Sequence, residues 1–209
     1  MKNVQTLQVI SKSAIGFFAL GIATYALILP YLGFSGPIHT RLMQLPPLFF
    51  YMHTVGGAVA LVLAPIQLFS SIPKTMHKTL GILYVLSVTL SSIGGLYMAQ
   101  EAYGGLSSTV ALSLLACIWI ASTYAGVFYA IKGERKRHYI WMVRSAALTF
   151  AAITLRLLSP LLFEFFTLYQ AQQIIYWTCW PINLLIAECY LRWRHAKSKL
   201  GRAQTSIYS

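Results

Sequence analysis

The chain contains no aspartate, and its four acidic side chains are all glutamates: Glu101, Glu134, Glu164 and Glu188. That scarcity excludes much chemistry. A zinc site ordinarily needs a carboxylate or a third clustered histidine, and intramembrane proton relays commonly run through buried acids. The three cysteines, Cys117, Cys179 and Cys189, form no CxxC or CxxCH pairing. Neither a disulfide framework nor covalent haem attachment is therefore expected, and the thiols read as small apolar side chains. No HExxH or HxxxH motif is present, so no local spacing dictates a metal. Charge of either sign is scarce as well, at 10% of residues, which excludes an ordinary soluble domain.

What the chain has in abundance is apolar length. It is 57% hydrophobic, with mean hydropathy +0.65. Six segments are long enough to span a bilayer, at about 13–33, 48–69, 79–98, 109–131, 139–162 and 173–193. The expected fold is all-α: a polytopic membrane protein of six transmembrane helices packed as an antiparallel bundle. It forms a single domain over 1–209, ending in a basic tail at 194–209. The first segment is too long for a signal-peptide core and reads as a retained helix.

The net charge of +12 does not point to nucleic acid. Of 16 Lys and Arg, 13 lie in the N-terminus, the loops at 74–78 and 132–137, and the tail at 192–202. Only Arg41 falls in the alternate loops, and Arg144 and Arg156 lie within apolar segments. Alternation of basic and near-neutral loops places both termini in the cytoplasm and the protein in the inner (plasma) membrane. The basic tail, with Trp193 at its membrane edge, is expected to lie against anionic lipid.

The fifth apolar segment carries His138, Arg144 and Arg156. Ionisable groups in hydrocarbon cost roughly 2.5–3.5 kcal/mol each on insertion scales, so they face a protein interior and mark a site by default. His138 and Arg156 are 18 residues apart, about five helical turns and about 27 Å, which places both on one face near opposite membrane edges. Two clusters follow from depth. The inner one holds His77, His138, Arg144 and Glu188; the outer one holds His53, Arg156 and one of Glu101 or Glu164. Arg144 and Glu188 lie at equal depth and are expected to form a structural ion pair; Arg156 is expected to meet Glu101, with Glu164 or an anionic ligand as the alternatives. His39, in the long outer loop with Arg41, is expected to have no chemical role. The Gly56-Gly57 and Gly94-Gly95 pairs permit close helix approach. Gly81 and Gly57, each one turn beyond a histidine, leave room for a flat ligand.

Several of these residues together resemble a family pattern. They are His53, Gly57 and Pro65-Ile66-Gln67; His77-Lys78-x-x-Gly81-x-x-Tyr84; and His138-x-x-Trp141-Met142-x-Arg144-Ser145 followed by Ala147-Leu148-Thr149 and Leu155-Arg156. The string resembles an uncharacterised family of bacterial integral membrane proteins, domain of unknown function 2306, over about residues 48–160. Lys78 departs from the arginine expected there; it keeps the charge but loses bidentate pairing. The resemblance implies that His53, His77, His138, Arg144 and Arg156 belong to the family pattern.

The family resemblance carries little function; the reading that the intramembrane histidines support is a haem b protein of quinone-linked electron transfer. His77 and His138 would be the iron's axial ligands, with His53 and Arg156 forming a second pocket for haem or quinone. The partners expected are the lipid bilayer and a quinone or other redox partner, and no nucleic acid. Two alternatives stand beside it: a small-molecule or proton-coupled transporter, and a non-catalytic assembly or sensor protein held together by Arg–Glu bridges.

Overall fold

A computed structural model describes residues 2–28, 40, 44 and 46–207, with side chains over 12–28, 40, 44 and 46–198. His39, Arg41 and the end of the first expected segment lie outside the described residues. The elements, in chain order, are α1 (Lys2–Ile28), α2 (Pro47–Phe69), α3 (Lys74–Gln100), α4 (Gly105–Ile131), α5 (Arg135–Thr149), α6 (Ala151–Phe163) and α7 (Leu168–Ile207). No strand occurs among the described residues. Five stretches are long and apolar enough to cross a membrane, α5 and α6 together making one of them; the shorter apolar run Lys12–Ile28 of α1 joins them.

Pairwise contacts fix the directions. Phe49 stacks on Tyr97 while Gln67 bonds the His77 carbonyl, so α2 and α3 run antiparallel. Trp119 meets Thr149 and Thr123 meets Ser145, so α4 and α5 do too. Gln173 reaches Gly104 and Trp177 reaches Ser107, which makes α7 parallel to α4. One end of the bundle therefore gathers Lys74, Lys78, Lys132, Arg135–Arg137 and the α7 arginines, and is called the basic end below. Sharp turns close the short loops. Gly104 and Gly133 have φ of 111° and 73°, a left-handed backbone in which a side chain is strained.

The tightest packing is between α2 and α3, where glycine removes the side chain from both helices. A methyl group added at Gly94 would lie 2.5 Å from the Phe49 carbonyl oxygen and 2.7 Å from the His53 nitrogen. One at Gly56 would lie 2.8 Å from the Ser87 carbonyl oxygen. Backbones this close gain dispersion contact that a bilayer's hydrophobicity cannot supply. The main core then joins Ala60 and Ala64 of α2, Tyr84 and Val88 of α3, Trp119 of α4 and Leu148 of α5. Large side chains such as Leu106 and Ile131 face outward, 79% and 82% exposed, as lipid-facing residues do.

The fifth expected helix departs from a continuous span. It is interrupted at Phe150, between α5 and α6, although no proline or glycine is there. The Thr149 hydroxyl bonds the Ser145 carbonyl and the Thr154 hydroxyl that of Phe150. Hydroxyls returning to carbonyls four residues back bend helices, and two of them flank this break. Pro160, by contrast, is carried inside α6.

Candidate functional site

In the half of the bundle away from the basic end, a cavity of about 330 Å³ opens between residues of all seven helices. Its walls are mostly small or aliphatic, Ala23, Ala26, Leu61, Leu115 and Leu155 among them. His53 and Arg156 both line it, together with Glu101, Tyr176 and Ser92. The two residues expected to share an outer pocket thus do so.

His53 is held in one orientation. Its Nδ1 lies 3.0 Å from the Ser91 carbonyl oxygen, and the Ser91 hydroxyl donates to the His53 carbonyl at 2.9 Å. A carbonyl can only accept, so Nδ1 carries the hydrogen and Nε2 of the neutral ring keeps its lone pair. The space this ring occupies belongs to Gly95 rather than Gly57. A methyl at Gly95 would come within 3.0 Å of His53 Nδ1, whereas Gly57 packs on the Ser91 hydroxyl.

The expected Arg156–Glu101 bridge does not form. Among the described residues no carboxylate lies within 4.0 Å of Arg156. Its Nη1 donates to the Ala152 carbonyl one turn back, 3.1 Å away, and its Cζ sits 6.0 Å from the centre of the Tyr25 ring. Equal depth in the membrane does not set the angle around the bundle axis, and both side chains line the cavity without forming an ion pair. Ser92, 1% exposed, also lines the cavity, and its hydroxyl has no hydrogen-bond partner.

At the basic end, His77 of α3 and His138 of α5 are neighbours. Their ring centres are 6.4 Å apart and their planes stand at 87°. His138 Nδ1 lies 2.8 Å from the Gly126 carbonyl oxygen of α4, so it is the protonated nitrogen and Nε2 is left as the lone-pair donor. Gly126 admits this approach because α5 packs directly on it: a methyl there would lie 2.6 Å from Met142 Sδ. No cluster of three or more His, Cys, Asp or Glu occurs among the described residues. Gly81, read as a slot beside His77, has the Gln67 amide 3.6 Å from where its methyl would be.

Arg144 and Glu188 form a fork-to-fork pair between α5 and α7, with Nε to Oε1 at 2.5 Å and Nη2 to Oε2 at 3.3 Å. The guanidinium also lies 4.6 Å from the Trp141 ring centre. With its charge met by a bidentate carboxylate, Arg144 holds helices together and is not offered to a ligand.

Between the two histidine sites lies a buried hydroxyl layer that the sequence reading did not single out. Tyr84 OH contacts Ser145 Oγ at 2.7 Å and Thr149 Oγ1 at 2.8 Å. Trp119 Nε1 donates to Thr149 Oγ1 at 3.0 Å, and Thr123 Oγ1 is 2.7 Å from Ser145 Oγ. The signal was present as two i, i+4 pairs, Trp119/Thr123 and Ser145/Thr149, which place polar groups on one face of each helix. Thr149 and Trp119 also line the cavity, so this layer forms part of its wall.

Residues 50–191 match a family described as predicted membrane protein (DUF2306). The chain belongs to that family. No curated protein and no solved structure matches it. The matched region spans α2 to α6 and much of α7, and so contains His53, His77, His138, Arg144 and Arg156. Membership of this DUF2306 family and the apolar helices together identify a multi-pass membrane protein.

Proposed function

We propose that this protein carries electrons within the membrane on a b-type haem held by His77 and His138, and exchanges them with a quinone. The observation that carries the reading is the His77–His138 pair. Their ring centres are 6.4 Å apart, close enough for both imidazoles to approach one metal. The donor set narrows the metal. Two nitrogen ligands with no third His, Cys, Asp or Glu beside them among the described residues cannot complete a zinc tetrahedron. They suit a metal that brings its own four equatorial nitrogens, which is what haem supplies. The Gly126 carbonyl on His138 Nδ1 is the kind of outer partner that metal-binding histidines commonly have; it fixes the ring and would leave Nε2 free to hold the iron. In this reading the basic end is cytoplasmic, the membrane is the inner (plasma) membrane, and both termini lie inside.

The test is haem content and the reduced-minus-oxidised visible spectrum of protein purified after expression with ample haem. The proposal expects haem near one per chain, lost or made high-spin by His77→Ala and by His138→Ala. Haem-free protein from haem-replete cells contradicts it. A second reading, transport of a small molecule or proton, draws on the break at Phe150 beside the cavity, since transporter sites often sit at interrupted helices. Solute uptake by haem-free proteoliposomes would favour it.

A further inference from the structure

We infer that the cavity between His53 and Arg156 is a binding site for a quinone head group, a flat ring with an oxygen on each of two opposite sides. The inference deepens the redox reading and rests on it for the choice of a quinone over other cyclic dicarbonyls. The place of the site rests on the cavity alone.

Its volume of about 330 Å³ is within the range of small-molecule sites. Glu101 and Tyr176 are among the polar groups that line it, and three others with bonding capacity unspent differ in kind. Arg156 is a cation with no carboxylate within 4.0 Å among the described residues, and one of its N–H groups is used on Ala152. Ser92 is a buried hydroxyl with no partner. His53, with Nδ1–H committed to the Ser91 carbonyl, presents Nε2 as an acceptor. A buried hydroxyl without a protein partner favours a ligand that can bond to it.

The inventory selects among ligands. A fatty-acid carboxylate satisfies Arg156 but brings no hydrogen to His53 Nε2. An inorganic anion leaves the aliphatic walls of Leu61, Leu115 and Leu155 unfilled. A quinone places one carbonyl oxygen at the Arg156 N–H groups and the other within reach of a hydroxyl donor. Its quinol form has an O–H to donate to His53 Nε2. The apolar ring lies against the aliphatic wall, and the isoprenoid or alkyl tail leaves toward lipid. Both redox forms are thus accommodated by one set of side chains.

The experiment is calorimetric titration of the purified protein in mild detergent with decylubiquinone, and separately with decanoate, on samples whose haem spectrum has been recorded. Saturable binding of decylubiquinone at one site is expected. Arg156→Met should weaken it about ten-fold or more, Arg156→Lys less, and Ser92→Ala about three- to ten-fold. Absence of saturable quinone binding overturns the proposal, as does affinity unchanged by both Arg156→Met and Ser92→Ala. Decanoate binding that is tighter than quinone and competes with it makes this a carboxylate site and also overturns it. If Arg156→Met does not yield monodisperse protein, Ser92→Ala decides. Haem without quinone binding fails this proposal only; quinone binding without haem fails the haem reading only.

Discussion

His138 donates its Nδ1 hydrogen to the Gly126 carbonyl across 2.8 Å, and the carbonyl is reachable because position 126 has no side chain. Its partner His77 makes no comparable bond among those described; its ring meets His138 edge-on, at 87°. One histidine is therefore pre-oriented by the bundle and the other is placed beside it by the start of α3. Replacing Gly126 by alanine drives a methyl to 2.6 Å from Met142 Sδ. Methionine is flexible, so the bundle should fold, with α5 displaced by a few tenths of an ångström; if haem is held as proposed, its affinity should fall about 10-fold. Haem retention on gel filtration against wild type checks this.

Gly94→Ala should be far more harmful than Gly21→Ala. The first puts a methyl 2.5 Å from a backbone carbonyl of α2, which cannot move without undocking the two helices. The second has nothing within 4 Å. At least about 2 kcal/mol of destabilisation is expected at Gly94, and at most about 1 kcal/mol of change at Gly21. Thermal loss of monodisperse protein in detergent measures both.

Tyr84→Phe removes a hydroxyl without opening a cavity. It deprives Ser145 and Thr149 of a shared partner in a fully buried layer, and should destabilise by about 1–3 kcal/mol. Trp119 still bonds Thr149, so the helices remain paired in the same register. A melting curve that does not move would show that the layer is dispensable for packing.

Arg144→Met and Glu188→Gln should each destabilise more than the double substitution. Either single change leaves a half-buried charge without its partner, whereas the double removes both. A coupling energy of about 1–2 kcal/mol from a double-mutant cycle is expected, the pair being part-exposed.

Much of this was legible in the amino-acid sequence because a membrane leaves few options. A span needs about 20 apolar residues, so hydropathy alone located the helices. Depth follows from counting along them, which brought His77 level with His138 and Arg144 level with Glu188. Depth says nothing about direction around the bundle, and that is where the reading of Arg156 with Glu101 went astray. The break at Phe150 had no proline or glycine to announce it, and the threonine hydroxyls that flank it look ordinary in an apolar helix. The Tyr84 layer was obscured for the same reason: serine, threonine and tryptophan in such a helix count as packing until three helices bring them together.

The most direct test of the account is the electron paramagnetic resonance spectrum of the oxidised, purified protein. If His77 and His138 hold haem iron as proposed, their near-perpendicular planes, at 87°, would give a strongly anisotropic low-spin ferric signal. The account predicts that signal in wild type, its replacement by a high-spin signal or its loss in His77→Ala and in His138→Ala, and its persistence in His53→Ala. No ferric haem signal from haem-replete cells, or a low-spin signal abolished by His53→Ala and untouched by the other two, would contradict it.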